Sequence, residues 1–102
     1  MEIDAKSLQQ KLASQQPPFL LDVRQLQELQ AEGGIDGAVL IPMNELPARL
    51  AEVPRDREVV AFCKRGQRSF NVAGWLRQQG YNATSMQGGL DQWKALGLPL
   101  RK

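Results

Sequence analysis

Histidine is absent from this chain of 102 residues, and cysteine occurs once, at position 63. Without an imidazole, no Cys–His pair can form, so a nucleophile here has to be activated by other means. A tetrahedral zinc site needs several nitrogen or sulfur ligands, which no histidine and one thiol do not supply. No metal site is therefore expected. A lone cysteine cannot close an internal disulfide, which fits a reducing compartment, and a cytoplasmic location is expected. Aromatic residues make up 6% of the chain and form no stacking platform beside a basic run. The net charge of +2, from 13 Lys and Arg against 11 Asp and Glu, is small and evenly mixed. Nucleic acid is not an expected partner on that balance. Long apolar runs are also missing: "MEIDAKSLQQKLASQQPP" is neither a secretory signal nor a membrane span, so no membrane partner is expected.

What is present fits an ordinary globular domain, with 42% hydrophobic and 24% charged residues. The length suits a single domain over 1–102, since two cores of that combined size would bury too little apolar surface. Asp4 precedes "AKSLQQKLAS", where Ala5, Leu8 and Leu12 share a helical face that Asp4 can cap. "QQPP" ends that helix. "FLLDV" reads as a strand buried on both faces, and "QLQELQAE" as a short helix stopped by Gly33 and Gly34. "AVLIP" is a second buried strand. Asn44 is placed to cap "ELPARLAEV", with Leu46, Leu50 and Val53 inward and Pro47 in the first turn. "EVVAF" is a third buried strand. "SFNVAGWLRQQ" follows as a helix with Val72, Ala73 and Leu76 inward, closed by Gly80. "ATSM" is a weak strand, and "GGLDQWKALG" a last helix with Leu90 and Trp93 inward. Alternation of this kind predicts an α/β domain, a mainly parallel sheet with helices on both faces.

In such sheets ligands sit beyond the carboxyl ends of the strands, and Cys63 falls at the carboxyl end of "EVVAF". The loop "CKRGQRS" then leads to a helix predicted to start near Ser69. Unpaired amides and the positive end of that helix face back toward the sulfur. Gly66 can take positive φ, so the loop curls until backbone N–H groups converge on an anion. Lys64, Arg65 and Arg68 add mobile positive charge. An unperturbed thiol titrates near pH ~8.5, and such surroundings bring it to roughly 3.5–7.5. The competing reading is a small buried hydrophobe beside a basic surface turn. Among the other residues, Trp75, Trp93, Met43 and Met86 are read as packing. Glu28, Glu32, Glu45 and Glu52 are read as solvated faces, no acid is evident near the loop, and the terminal "RK" is expected to fray.

"LLDVR" (20–24), "GGIDGAVLIP" (33–42), "CKRGQRS" (63–69) and "GYNATSMQGGLDQWKALGLPL" (80–100) together resemble a single-domain rhodanese, from about Ile3 to Leu100. The resemblance implies a rhodanese-like α/β fold and transfer of sulfane sulfur from a small anionic donor such as thiosulfate, or a persulfide, to cyanide, a thiol or a protein acceptor. Cys63 would be the nucleophile that carries the persulfide. Lys64, Arg65, Gly66, Gln67, Arg68 and Ser69 would bind substrate and persulfide, and Asp22 and Arg24 would orient the scaffold near the site. No cofactor is implied. Two other outcomes stay open: a non-catalytic binding or regulatory module, and a phosphatase or arsenate reductase of the same fold. The latter pair has one more residue between cysteine and arginine than the four found here. The chain also departs from the family's usual "GHIPGA" by carrying Gly34 and Asp36 where histidine and proline stand.

Overall fold

The computed structural model of the chain describes residues 1–101. Five parallel strands form one sheet: β1 (Glu2–Ile3), β2 (Phe19–Asp22), β3 (Val39–Leu40), β4 (Val59–Phe62) and β5 (Ala83–Met86), in the order β1-β5-β4-β2-β3. The helices are α1 (Ala5–Leu12), α2 (Leu26–Glu32), α3 (Gln67–Gln78) and α4 (Gly89–Ala95), with a 3₁₀ segment over Met43–Glu52.

The side-chain alternation of the central strands builds a core on each face. Leu21 and Val23 with Val59, Ala61 and Cys63 pack beneath α3 and the 3₁₀ segment, against Leu46, Val53, Val72, Ala73 and Leu76. Leu20 with Val60 and Phe62 packs on the opposite face, against Ala5, Leu8, Leu90 and Trp93 of α1 and α4. Helices on both faces of a parallel sheet are thus found as expected, and Asp4 caps α1 by accepting from the Ser7 amide at 2.8 Å.

Several expectations fail for identifiable reasons. β1 is too short to show a hydrophobic period and exists by pairing with β5. β3 is an edge strand with Val39 exposed, so it is not buried on both faces. Asn44 does not cap a helix: the segment starts two residues earlier than expected, at Met43 after Pro42, and the Asn44 side chain accepts from Gln25 Nε2 at 3.1 Å. Pro47, lacking an N–H, lies inside this segment, which winds as 3₁₀ and kinks at Arg49. Arg101 is not frayed, since it exchanges two backbone hydrogen bonds of 2.8 Å with Gly34. Lys102 lies outside the described residues.

Candidate active site

The cysteine loop leaves the end of β4 and enters α3 two residues earlier than expected, at Gln67 rather than Ser69. Gly66 makes this possible, with φ of 99° as the residue before the helix; a Cβ there would also stand 3.2 Å from the Gly88 amide. Ser69 consequently sits in the first helical turn, where backbone amides have no intrahelical acceptor. Its amide points at the sulfur instead.

Cys63 Sγ accepts from the Gly66 amide at 3.1 Å and from the Ser69 amide at 3.4 Å, with the Ser69 hydroxyl at 3.5 Å. In the thiol form S–H donates to that hydroxyl; in the thiolate form the hydroxyl turns to donate. Ser69 Oγ is also 2.8 Å from the hydroxyl of Ser85, which is wholly buried on β5. Burial pushes the Cys63 thiol pKa up, but the Ser69 hydroxyl and the amides of Ser69, Gly66 and Arg65 outweigh it, and the net shift is downward. The residue as a whole is 1% exposed, yet it forms part of the wall of a cleft of about 240 Å³ shared with Lys64, Arg65, Gln67 and Arg68. Every residue predicted for the loop is therefore gathered around the sulfur or its cleft.

The start of α4 holds the loop's other side. The amides of Leu90 and Asp91 donate to the carbonyls of Cys63 and Lys64 at 2.8 and 3.0 Å. The backbones approach so closely that a Cβ on Gly89 would fall 2.5 Å from the carbonyl carbon and oxygen of Lys64. That contact gives Gly89 a physical role.

Asp22 and Arg24 stand elsewhere. Both alternate onto the face opposite Cys63, where the Arg24 guanidinium lies 5.5 Å from the Phe62 ring centroid. Arg24 is fully buried, donates Nε and Nη2 to the two Asp22 oxygens at 2.9 and 2.7 Å, and donates Nη2 to the Gly33 carbonyl at 2.9 Å. The pair does not line the cleft; it ties the end of α2 to the sheet. A larger cleft of about 750 Å³ on that side, bordered by Asp22, Leu29, Ile35, Lys94 and Arg101, does not include Cys63.

Two further expectations need correction. Lys64 and Arg68 are not mobile charge, Arg65 alone staying largely exposed, and acids are near all three. Arg68 donates Nη1 and Nη2 to the two oxygens of Glu28, both at 2.8 Å. Lys64 Nζ lies 2.8 Å from Glu32 and 3.3 Å from Asp91, and Arg65 Nε lies 3.7 Å from Asp91. The Arg68 hydrogen bond holds the Glu28 carboxyl down at about 2, against the opposing effect of burial, with the Gln25 amide and the charges of Arg68 and Arg24 assisting. Glu45 and Glu52 both pair with Arg49. Met86 and Trp93 are core residues as read, Trp75 is half-buried against the core, and Met43 is exposed. Glu28 and Asp91 lie 40 and 27 residues from their partners, so no local spacing could have revealed them.

A parallel α/β sheet whose central strand delivers a thiol into a cradle of amides defines a class of anion-handling cysteine domains. A family model described as the rhodanese-like domain matches residues 4–96. A protein named sulfurtransferase from Allochromatium vinosum is 41% identical over 100 residues, covering 97% of this chain and 92% of that protein. Among solved structures, a rhodanese-related protein from Thermoplasma volcanium aligns with a TM-score of 0.89 at 30% identity, over 97% of this chain and 95% of its own. A rhodanese-like domain protein from Staphylococcus aureus aligns with a TM-score of 0.87 at 32% identity, over 99% and 98%. The chain belongs to the rhodanese-like domain family. No helix among the described residues is long and apolar enough to cross a membrane.

Proposed function

We propose that the chain is a sulfurtransferase that carries sulfane sulfur as a persulfide on Cys63. One observation carries this reading: Sγ accepts two amide hydrogen bonds from its own loop while it borders a cleft lined by Lys64, Arg65 and Arg68. Such a cradle stabilises a sulfur anion with no proton-accepting side chain. The relative named sulfurtransferase supports the same chemistry.

In the first half-reaction the Cys63 thiolate attacks the outer sulfur of thiosulfate or of a persulfide. The Sγ–S bond forms as the donor's S–S bond breaks, and the electron pair leaves on sulfite or on the donor thiolate. In the second, cyanide, a thiol or a protein thiolate takes the terminal sulfur, and Sγ departs as the thiolate that began the cycle. The loop amides keep the anion in place through both halves, Gln67 borders the cleft, and Lys64, Arg65 and Arg68 set the potential that meets the donor. Neither half needs a cofactor, and a reducing cytoplasm would keep the single thiol available.

Incubation with thiosulfate, or with a small-molecule persulfide, should raise the intact mass by one sulfur atom, and cyanide or a thiol should remove it. The Cys63→Ser variant should gain nothing. A wild-type protein that takes up sulfur from neither donor would leave the chain a binding module.

A further inference from the structure

The cations around the thiol face almost as many carboxylates. Lys64, Arg65, Arg68 and Lys94 are paired among Glu28, Glu32 and Asp91, so four positive charges meet three negative ones. The Arg68–Glu28 pair stands apart in geometry. Both terminal nitrogens of the guanidinium are engaged at 2.8 Å, and the two side chains are 34% and 24% exposed. Arg65, by contrast, is 76% exposed and only grazes Asp91. Glu28 is also fixed from behind, because its Oε2 accepts from the Gln25 amide at 2.9 Å in the capping box that starts α2. The carboxylate therefore cannot follow Arg68 outward. A donor that recruits this guanidinium has to displace a bidentate, charge-assisted partner of the protein's own.

We propose that Glu28 is a specificity-determining residue of this site: by occupying both terminal nitrogens of Arg68 it weakens capture of small dianionic donors such as thiosulfate and favours persulfides that carry a single net negative charge. The inference rests on the sulfurtransferase reading above. Coulomb's law sets its form. The effect of removing one carboxylate charge on donor capture scales with donor charge, so on a logarithmic scale a dianion responds twice as strongly as a monoanion and a neutral reagent does not respond.

The test is Glu28→Gln, which removes the charge but keeps an oxygen for the Gln25 amide. Single-turnover loading is followed by intact mass with thiosulfate and with cysteine persulfide, and alkylation by neutral iodoacetamide is followed above the thiol pKa. The expected gain is roughly tenfold with thiosulfate, about threefold with the persulfide and less than about twofold with iodoacetamide. The contrast should collapse near ~1 M KCl, where the screening length falls to about 3 Å. In an Arg68→Gln background, Glu28→Gln should produce a clearly smaller gain with thiosulfate, because only the direct repulsion between carboxylate and donor is then relieved. Equal changes across the three reagents, or a thiosulfate gain that is as large without Arg68 as with it, would overturn the proposal. The unaltered protein supplies an independent arm: with its collar nearly neutral, thiosulfate loading should fall by less than about threefold from low salt to ~1 M, and a steep fall would also overturn it. If the unaltered protein alkylates normally but loads from neither donor, the sulfurtransferase reading itself fails and takes this one with it. If it loads and Glu28→Gln leaves discrimination unchanged, only the role of Glu28 is lost.

Discussion

Two helices flank the cysteine loop, and different forces hold them. α3 continues directly from the loop and buries Ser69, Val72, Ala73 and Leu76 against the sheet. α2 buries none of its side chains completely. Its position is set by polar contacts instead: Glu28 with Arg68, Glu32 with Lys64 and Lys94, and the Gly33 carbonyl with the buried Arg24. The helix that aims amides at the sulfur is anchored by apolar packing that salt and pH barely touch. The helix that sets the charge at the mouth is anchored by bonds that salt and pH do touch. Elements with few buried apolar contacts are also those that open locally at low free-energy cost, so the chemistry sits on the rigid side and its tuning on the looser one.

The sharpest way to break this comparison is to truncate one apolar side chain in each helix. Leu76 is wholly buried in the core beneath α3, and Leu76→Ala should cost about 2–5 kcal/mol of unfolding free energy. Leu29 is half-buried, resting over the backbone of Gly34, and Leu29→Ala should cost about 1 kcal/mol. Urea denaturation of both variants measures the difference. Equal losses would mean that α2 shares the core after all.

The same distinction explains what could be read from the sequence. Apolar periodicity, proline stops and glycine ends identified α1, α3, α4, β2, β4 and β5, because buried contacts leave a local pattern of residue types, and the glycines at 33–34 marked the end of α2 as well. Cys63, Gly66 and the cations were legible because they are consecutive. The collar of Glu28, Glu32 and Asp91 was not. Those residues look like ordinary solvated helix faces, and only the crossing of β2 beside β4 brings α2 to the loop. Ser85 was hidden for the same reason: its hydroxyl matters because β5 lies next to β4. The opposite facing of Asp22 and Cys63 was encoded in the strand alternation, but it needed the register Asp22↔Phe62 to be seen. Asn44 misled because a good capping residue type says nothing about competing partners in space, and the start near Ser69 was placed two residues late because Gly66 at positive φ lets the helix begin at Gln67.

A smaller effect is expected on the rigid side of the comparison, at Ser69. Its hydroxyl and amide both reach Sγ, but only the hydroxyl can be removed by substitution. Ser69→Ala should raise the Cys63 pKa and slow alkylation near neutral pH, because the hydroxyl contact is the largest of those that lower it against burial. The pH dependence of iodoacetamide alkylation reads this directly. A pKa unchanged by the substitution would assign the whole effect to the backbone.

The smallest effect should appear on the looser side, in acid. Glu28 has its carboxyl held at about 2 in the folded protein, chiefly by the hydrogen bond from Arg68 and despite burial, from an ordinary value of 4.5. A carboxylate whose folded pKa is depressed stabilises the native state fully above its unfolded pKa, and that contribution is lost as pH falls through the folded one. The window here runs from about pH 4.5 down to about 2. Glu32 is shifted in the same direction, by the hydrogen bond from Lys64 against burial, with Lys94 adding to it, so both anchors of α2 weaken together. Solvent reaches both partners of the Arg68–Glu28 pair, which screens it to about 1 kcal/mol. Hydrogen exchange of the Leu29–Gly33 amides, corrected for intrinsic rates, should therefore accelerate about fivefold between pH 6 and pH 2.5. The Val72–Leu76 amides of α3 have no carboxylate in their anchoring and should keep their protection over that range. Parallel loss of protection in the two helices would show that α2 opens only when the whole domain does, and that its ion pairs are not what holds it.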